Sequence, residues 1–380
     1  MKPKHQVMHK LTQILKQRVD TTNAAPVVTP IYQNSAFEAH SPFFYTRKNN
    51  PNVEELEQVF CALEESEHAV CCSTGMAAIS NTLLLLKPGD HLVINQLIYG
   101  CSYVLFERFC EQFQIALTVL DLSTKEGILA IPQQATMVLF ETPTNPFVRS
   151  IDIAAVAQQA KKHNPSCLIV VDNTWATPLF QQPLLHGADL ALYSATKYFS
   201  GHSDVMGGVL TTNDANLAQK LRDARFYHGA VMDPNSAWLL RRSMQTFTIR
   251  MRAHGQTTIQ IRDWLASQSG VEEVFYPDVD GQQLTGYATL LFFTLNAKLS
   301  ERYDDFVAAL QLFDTGTGMA CVTSMVARPY TGSHASMNEQ QKQQMGLTCQ
   351  LVRLSIGLEE VEDLIADLQQ AFDHIGANND

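Results

Sequence analysis

The stretch DLALYSATKYFSGHSDVMGG, Asp189–Gly208, places one lysine, Lys197, between two hydroxyl side chains and a glycine-rich turn. The apolar run Leu190–Tyr193 predicts a buried strand that brings Ser194, Thr196 and the lysine to its carboxyl end. Ligands bind at that edge of open α/β sheets. Hydroxyl groups there suit a phosphate, and a lysine among them can form a Schiff base with a carbonyl compound. On this stretch alone, an exposed lysine in a Ser/Thr loop is an equally good interpretation.

A second stretch, CLIVVDNTWATP at Cys167–Pro178, favours the chemical interpretation. Its apolar run ends at Asp172, as in a central parallel strand buried on both faces. A carboxylate at the end of such a strand needs a cationic or hydrogen-bonded partner. The pyridine nitrogen of pyridoxal 5'-phosphate (PLP) is one such partner, because an ionised aspartate keeps the ring protonated and electron-withdrawing. Metal ligation or a helix cap would also explain Asp172, but its place 25 residues before Lys197 favours PLP.

Composition limits the classes of function. At 380 residues the chain is long enough for two domains, and its 46% apolar and 17% charged residues are typical of a globular protein. The net charge of −11 argues against a nucleic-acid partner, because a polyanion requires a basic face. The longest aliphatic run, Leu83–Leu86, is too short for a bilayer, and the N-terminus lacks the apolar block of a signal peptide. We therefore expect a soluble, cytoplasmic protein without a membrane partner.

The cysteines and histidines do not predict a metal site. The eight cysteines are scattered and none forms a Cys-x-x-Cys pair, so free thiols are expected rather than a disulfide framework. His5 and His9 have the spacing for a shared metal on a helix, but no acidic or cysteine ligand lies near them in the sequence. We expect no bound metal.

An α/β domain is predicted in the middle of the chain. Prolines interrupt residues 1–50, which we expect to form an irregular N-terminal arm. Asn52 then caps the first helix, with Glu55 completing a capping box. Strands and helices alternate over 51–235, which indicates a mainly parallel sheet covered by helices. The predicted strands are Ala69–Cys72, His91–Asn95, Ala116–Leu120, Thr136–Glu141, Cys167–Asp172 and Leu190–Ser194, and helices between them include Met76–Leu86, Cys101–Phe113 and Ile153–His163.

The pattern changes after about residue 235. A long helical region, Ser236–Ser267, precedes two predicted strands, Tyr287–Leu295 and Leu351–Ile356, and a final amphipathic helix, Glu359–Ile375. We therefore predict a smaller C-terminal α+β domain over 236–380, after a cofactor-binding domain over 51–235.

The chain resembles the Cys/Met-metabolism family of PLP-dependent enzymes, which includes cystathionine β- and γ-lyases, cystathionine γ-synthase and methionine γ-lyase. The resemblance runs from about Ala25 to the C-terminus and rests on the motifs YTRKNNP, STGMAAI, ETPTNP, VVDNTWATP, YSATKYFSGHSDVMGG and LVRLSIGLE. It implies the transferase-like fold-type I architecture, with a mainly parallel seven-stranded sheet and a smaller α+β C-terminal domain. It also implies a homotetramer made of two tight dimers with shared active sites.

The resemblance assigns residues to the cofactor. Lys197 matches the Schiff-base lysine and acid/base, and Asp172 matches the partner of the pyridinium nitrogen. Tyr99 matches the aromatic side chain that stacks on the ring, which makes it the third expected catalytic residue. The phosphate is expected to contact Gly75 and Met76 at a helix N-terminus, the hydroxyls of Ser194 and Thr196, and Tyr45 and Arg47 of the neighbouring subunit. Without the resemblance, Tyr45 and Arg47 would be interpreted as surface-loop residues.

The resemblance also assigns residues to the substrate, and Tyr99 is one of them. Arg353 matches the arginine that clamps the α-carboxylate, and a bidentate clamp fixes which Cα bond breaks. Asn145 matches a residue beside the cofactor's hydroxyl and the bound amino acid, although its proline-rich turn is equally consistent with a structural role. Cys101 follows Tyr99-Gly100, as a cysteine does in methionine γ-lyase, but a small residue at a helix start explains it as well.

One segment departs from the family pattern. The family usually reads Ser-Leu-Gly-Gly-x-Glu-Ser-Leu where this chain has Asp314–Cys321, DTGTGMAC. Asp314 or Thr315 is expected at the place of the serine, and we assign Thr315 to the substrate site. Met319 or Ala320 then replaces the glutamate, which in the family lies near the distal part of the substrate.

These observations together predict a PLP-dependent carbon–sulfur lyase of trans-sulfuration. The expected reaction is α,β- or α,γ-elimination from cystathionine or a related sulfur amino acid, with Lys197 moving the protons. Trp175, in Asp-Asn-Thr-Trp, is similar to the pattern of cystathionine β-lyases, whereas Cys101 is similar to that of methionine γ-lyase. The first choice is cystathionine β-lyase or γ-lyase. Cystathionine γ-synthase and methionine γ-lyase are the alternatives. A non-catalytic binding protein on the same scaffold is disfavoured by the presence of Lys197, Asp172 and Arg353.

Overall fold

Seven strands form the larger sheet of the computed structural model, which describes residues 24–376. Their order is β1-β7-β6-β5-β4-β2-β3, and the five strands from β6 to β3 are parallel. The predicted mainly parallel seven-stranded sheet is confirmed. The strands are β1 (His68–Cys72), β2 (His91–Asn95), β3 (Ala116–Leu120), β4 (Met137–Glu141), β5 (Leu168–Asp172), β6 (Leu190–Ser194) and β7 (Gly208–Thr212).

The seventh strand, β7, is absent from the strands predicted by hydrophobic pattern. It begins at Gly208, in what the sequence indicates to be a glycine-rich turn, and it pairs antiparallel with both β1 and β6. A Cβ on Gly208 would lie only 2.1 Å from the carbonyl oxygen of Thr74. The glycine is needed there because the backbone at Thr74 passes directly over the strand.

Helices cover both faces of this sheet. Alternate residues of the central strands point to two separate apolar clusters, as Leu92 and Ile94 do to one side and Val93 to the other, which explains their continuous apolar runs. The helices of this part are α1 (Pro51–Glu64), α2 (Gly75–Leu83), α3 (Gly100–Phe113), α4 (Lys125–Leu129), α5 (Ile153–His163), α6 (Thr177–Phe180) and α7 (Ala215–His228).

The first helix starts two residues earlier than predicted. Asn50, not Asn52, is its N-cap, and its side chain accepts a hydrogen bond from the Asn52 backbone N–H. The Asn52 side chain is buried and accepts from the N–H of Tyr32 at 2.8 Å. Glu55 accepts from Arg241 Nε at 3.1 Å instead of closing a capping box. The proline at position 51 suits the first helical position, which moves the cap to the residue before it.

A second, five-stranded sheet occupies the C-terminal part, in the order β10-β11-β12-β9-β8. Its pairings are antiparallel except that of β10 with β11, and its central strands share an apolar cluster with the final helix. The elements are α8 (Pro234–Met244), α9 (Phe247–Ala266), β8 (Val271–Phe275), β9 (Leu290–Leu295), α10 (Tyr303–Ala309), β10 (Asp314–Thr315), β11 (Met325–Ala327), α11 (Glu339–Gln344), β12 (Leu351–Ser355) and α12 (Val361–His374).

The long helix predicted over Ser236–Ser267 is two helices, α8 and α9. Arg250 of α9 stabilises the break between them, because its Nη2 donates to the carbonyl oxygen of Ser243 at 3.1 Å and its Nε to Thr246 Oγ1 at 3.3 Å. Nη1 of the same guanidinium donates to the carbonyl oxygen of Tyr198 at 2.8 Å. The break therefore ties both helices to the segment that follows Lys197.

Residues 24–31 belong to a separate unit that ends at Ile31, and they contain no helix or strand. Within residues 24–376, no helix is long and apolar enough to cross a membrane, and no group of three or more His, Cys, Asp or Glu side chains could hold a metal ion. His5 and His9 lie outside the described residues. All eight cysteines are free thiols, as the sequence predicts.

Candidate active site

A cavity of about 340 Å³ opens at the carboxyl ends of β4, β5 and β6. Parallel strands deliver the residues that follow them to this edge, where open α/β sheets bind ligands. The cavity brings together eight of the residues predicted from sequence: Gly75, Met76, Tyr99, Asn145, Asp172, Ser194, Thr196 and Lys197. Residues from distant parts of the chain thus converge on the lysine.

The N-terminus of α2 forms one wall of the cavity. Thr74 caps this helix by accepting from the N–H of Ala77 at 2.9 Å, which leaves the first backbone N–H groups pointing into the cavity. A Cβ on Gly75 would lie 3.0 Å from Ser194 Cβ, so the helix start packs closely on the end of β6. Thr196 is held by its own bonds to Gly207, from whose N–H it accepts at 3.1 Å. Hydroxyls beside a helix N-terminus form an anion site that suits a phosphate.

Lys197 lies in the turn after β6, where its backbone N–H donates to the carbonyl oxygen of Ser194 at 3.2 Å. Burial and, to a lesser extent, the positive charge of Arg353 lower the pKa of Lys197 to about 8. Because of this shift, a useful fraction of the amine is unprotonated near neutral pH. An unprotonated lysine amine is the form that attacks a carbonyl carbon or removes a proton.

Asp172 ends β5 and faces the same cavity. Burial raises the pKa of Asp172 to about 6, and hydrogen bonds from Thr174 partly oppose this. Thr174 Oγ1 donates to Asp172 Oδ1 at 2.5 Å and its backbone N–H donates to the same oxygen at 3.1 Å. No cationic side chain among the described residues contributes to the pKa of this carboxyl group. A cationic group that binds in the cavity could therefore form an ion pair with Asp172.

The unsatisfied groups of the cavity fit PLP. The side chain of Asn145 is 1% exposed, and neither its Oδ1 nor its Nδ2 has a hydrogen-bond partner. Buried polar atoms of this kind usually have partners, so Asn145 is available to a ligand. PLP carries an aldehyde, a pyridine nitrogen, a ring hydroxyl and a phosphate, which Lys197, Asp172, Asn145 and the N-terminus of α2, in that order, would hold.

Glu141 also lines the cavity, although sequence analysis did not single it out. It ends β4 and is the register partner of Asp172 on β5, and its Oε2 accepts from the backbone N–H of Tyr99 at 3.1 Å. The available signal was its place as the first residue of the ETPTNP motif, directly after an apolar strand.

Arg353 is buried in β12 beside the cavity without lining it. Its Nη2 donates to the carbonyl oxygens of Gly318 at 3.2 Å and Thr317 at 3.5 Å, while its Nε has no partner. Burial lowers the pKa of Arg353 to about 10, which still leaves it charged at neutral pH. A buried guanidinium with a donor to spare can bind a carboxylate.

The segment Asp314–Cys321 does not bring Thr315 to the cavity. Thr315 is exposed in the edge strand β10, whereas Thr317 and Met319 line the cavity. The backbone N–H of Ala320 donates to Ser355 Oγ at 2.7 Å, which holds the segment against β12. Sequence alone did not find Thr317, because the departure from the family pattern left the register of this segment open.

Tyr45 and Arg47 lie in a separate exposed depression of the same chain. The Arg47 guanidinium carbon stands 4.3 Å from the ring centre of Phe226, and its Nη1 donates to the carbonyl oxygen of that residue at 2.8 Å. Neither side chain lines the cavity around Lys197, so within one chain they do not contribute to it.

Cys101 is exposed at the start of α3, next to the cavity residue Tyr99. Burial raises the pKa of the Tyr99 hydroxyl well above its usual value, and a hydrogen bond with Cys101 adds to the effect. Tyr99 is therefore a neutral phenol at physiological pH.

Sequence comparison gives a family match over nearly the whole chain. The profile described as Cys/Met metabolism PLP-dependent enzyme matches residues 11–373. A cystathionine β-lyase of Lactococcus lactis subsp. cremoris is 33% identical over 93% of this chain and 95% of its own length. An L-methionine γ-lyase of Fusobacterium nucleatum subsp. polymorphum is 35% identical over 91% of this chain and 93% of its own.

Comparison with solved structures agrees with this match. The crystal structure of a cystathionine γ-lyase from Lactobacillus plantarum, complexed with L-serine, superimposes with a TM-score of 0.89. It is 31% identical in sequence and covers 98% of this chain and 100% of its own. The resemblance inferred from the motifs is confirmed.

Proposed function

Because this chain belongs to the Cys/Met metabolism family of PLP-dependent enzymes, we propose that it is a carbon–sulfur lyase of trans-sulfuration. Its substrate is cystathionine or a related sulfur amino acid, cleaved by α,β- or α,γ-elimination. One observation supports this above all. The amine of Lys197, in the turn after β6, and the carboxyl group of Asp172, at the end of β5, line one cavity, and no cationic side chain of the described residues contributes to the pKa of Asp172.

The residues of the chain have distinct roles in this proposal. PLP, when bound, supplies electron withdrawal from the substrate Cα. Asp172 holds the negative charge that favours a protonated ring nitrogen. Nζ of Lys197 removes the Cα proton and returns a proton later, which suits its pKa of about 8. Arg353 binds the α-carboxylate, and Tyr99 packs over the ring. The N-terminus of α2 holds the phosphate.

A second candidate, cleavage of shorter sulfur amino acids such as methionine, is favoured by the part of the cavity lining that the segment after β10 supplies. Thr317 and Met319 line that part of the cavity, and both are uncharged. Among the residues the structure describes, the acidic and basic side chains that line the cavity are those of Glu141, Asp172 and Lys197, which end or follow β4, β5 and β6. Cystathionine has a distal ammonium and carboxylate, and no further acidic or basic side chain of the described residues lines the cavity to pair with them.

A product assay separates these candidates and also tests cystathionine γ-synthase, to which this chain is similar in fold and sequence. Purified holoenzyme is given cystathionine, cysteine, methionine or homocysteine alone. A lyase releases pyruvate or 2-oxobutanoate, and the preferred substrate identifies the member. Cystathionine that accumulates only from an acyl-homoserine plus cysteine, with no keto acid from cystathionine alone, would contradict the lyase.

We further propose a cytoplasmic homotetramer in which each active site uses two chains. The exposed Arg47 and Tyr45, which do not line the cavity of their own chain, support an arm over 1–50 that reaches the phosphate of a neighbour. The division into this arm, a PLP-binding domain over 51–235 and a C-terminal domain over 236–380 is part of the same proposal.

A further inference from the structure

Two carboxyl groups end neighbouring parallel strands at the base of the cavity. Glu141 on β4 and Asp172 on β5 are register partners, and both line the cavity. Strands that pair in this way lie about 5 Å apart, so two full negative charges there would repel each other strongly. One of the two carboxyl groups is therefore expected to keep its proton.

Glu141 also holds the backbone of Tyr99. Its Oε2 accepts the N–H of Tyr99 at 3.1 Å, at the turn that starts α3. The opposite side of this turn is equally confined, since a Cβ on Gly100 would lie 2.8 Å from the carbonyl oxygen of Ser333. The carboxyl group and the loop at Ser333 thus fix where the Tyr99 ring stands. This contact needs only a carbonyl-type acceptor and no negative charge.

The surroundings of Glu141 disfavour its ionised form. Burial and then the negative charge of Asp172 raise the pKa of Glu141 well above its usual value, against smaller contributions from the Tyr99 N–H and the Trp175 side chain. The other titratable groups that interact with it are the phenols of Tyr99 and Tyr287, whose own pKa values are raised by burial. Asp172 differs because it receives two hydrogen bonds from Thr174, which favour its carboxylate.

We propose that Glu141 is a positioning residue that keeps its proton while it holds Tyr99 over the cavity, and that it thereby leaves Asp172 as the one negative charge beside the cofactor. This inference rests on the proposed function in requiring PLP in the cavity, but it does not depend on which sulfur amino acid is cleaved.

The test compares Glu141→Gln, which keeps a neutral carbonyl acceptor, with Glu141→Ala, which removes it. Holoenzyme is titrated with pH while the absorbance of the bound cofactor is followed. Glu141→Gln should leave the midpoint unchanged and kcat/KM close to that of the wild type. Glu141→Ala should lower kcat/KM about tenfold for any accepted substrate, because the Tyr99 N–H loses its partner. Glu64→Gln, a buried glutamate outside the cavity, is the matched control and should change neither quantity.

Two results would overturn the proposal. If Glu141 is ionised, Glu141→Gln removes a negative charge and shifts the midpoint downward by about 1 pH unit or more. If its role is only structural, Glu141→Ala lowers the melting temperature but leaves kcat/KM per bound cofactor unchanged. Infrared difference spectra of the cofactor-free protein give an independent answer: the carbonyl stretch of a protonated carboxyl group should disappear in Glu141→Gln. That measurement still applies if PLP binding, and with it the proposed function, fails.

Discussion

Thr174 Oγ1 donates a 2.5 Å hydrogen bond to Asp172 Oδ1 and accepts one of 2.9 Å from the backbone N–H of Ser194. One hydroxyl therefore links the end of β5 to the end of β6, the strand that leads to Lys197. The hydroxyl proton goes to the carboxylate, because the Ser194 N–H is itself a donor and cannot accept it. Thr174 thus favours the charged form of Asp172 and fixes its distance from the lysine turn.

Replacing Thr174 by Val should raise the pKa of Asp172 further above its value of about 6, because the hydrogen bond stabilises only the carboxylate. A raised pKa means that a higher pH is needed to ionise the group. The acidic limb of the kcat/KM profile should therefore move to higher pH, by about 1 unit for a bond to a charged group. Thr174→Ser keeps the hydroxyl and should show the wild-type limb. A Val variant with an unshifted limb would contradict this role.

The buried carboxyl group of Glu64 should make the free energy of unfolding depend on pH. Its carboxyl group accepts from the Tyr193 hydroxyl, and burial raises the pKa of Glu64 to about 8. Because the folded-state value exceeds the unfolded one of 4.5, the stability due to this group is complete below pH 4.5 and is lost as pH rises through about 8. Relative to Glu64→Gln, the wild type should lose about 1.4 kcal/mol of unfolding free energy per pH unit in this window. Urea unfolding of both cofactor-free proteins measures it, and parallel curves would refute it.

Arg353→Ala should raise KM on the order of 100-fold with a smaller change in kcat, since a charge-assisted bidentate contact contributes about 1.5–3 kcal/mol. The comparison assumes that substrate dissociates faster than it reacts, which single-turnover kinetics can check. Arg353→Lys should recover only part of the loss, because an ammonium cannot form the planar fork. Equal KM for the wild type and the Ala variant would exclude Arg353 as the carboxylate clamp.

Shared sites can be tested by complementation between chains. Arg47→Ala and Lys197→Ala homomers should each be inactive or nearly so. Mixed dimers of the two contain one site with both residues intact, so equal mixing and reassociation should restore about a quarter of the sites. The double variant Arg47→Ala/Lys197→Ala, mixed with Arg47→Ala, restores none and is the control. If the first mixture stays inactive although mass spectrometry shows mixed dimers, Arg47 does not act across subunits.

The part of the site around Lys197 and Asp172 could be predicted from the sequence, because strong local patterns mark the strands that lead to both residues. Apolar runs ended by Asp172 and Ser194 predict both strand ends, and the structure pairs the two strands side by side in one parallel sheet. Sequence patterns did not predict the strand β7, because its residues give competing signals. The strand from Gly208 is paired on both sides, but the glycines at its start are typical of a turn. Its pairing with β1 joins residues that are 136 to 144 positions apart in the chain.

Local sequence patterns could not predict which residues of the segment after β10 line the cavity. Thr317 and Met319 reach it because the hydrogen bonds of Arg353 and Ser355 set the register of their segment, and those contacts are not visible in sequence. Glu141 was missed for a similar reason. Its importance comes from the neighbouring carboxylate and from the N–H of Tyr99, which the fold supplies from two other elements.

The most direct test of the central claim is to reduce the holoenzyme with sodium borohydride, digest it and locate the cofactor by mass spectrometry. We predict that the phosphopyridoxyl mass is found on the peptide that contains Lys197 and that Lys197→Ala acquires no label. Label on a different lysine, or a Lys197→Ala variant that keeps both the bound-cofactor absorbance and activity, would contradict the account.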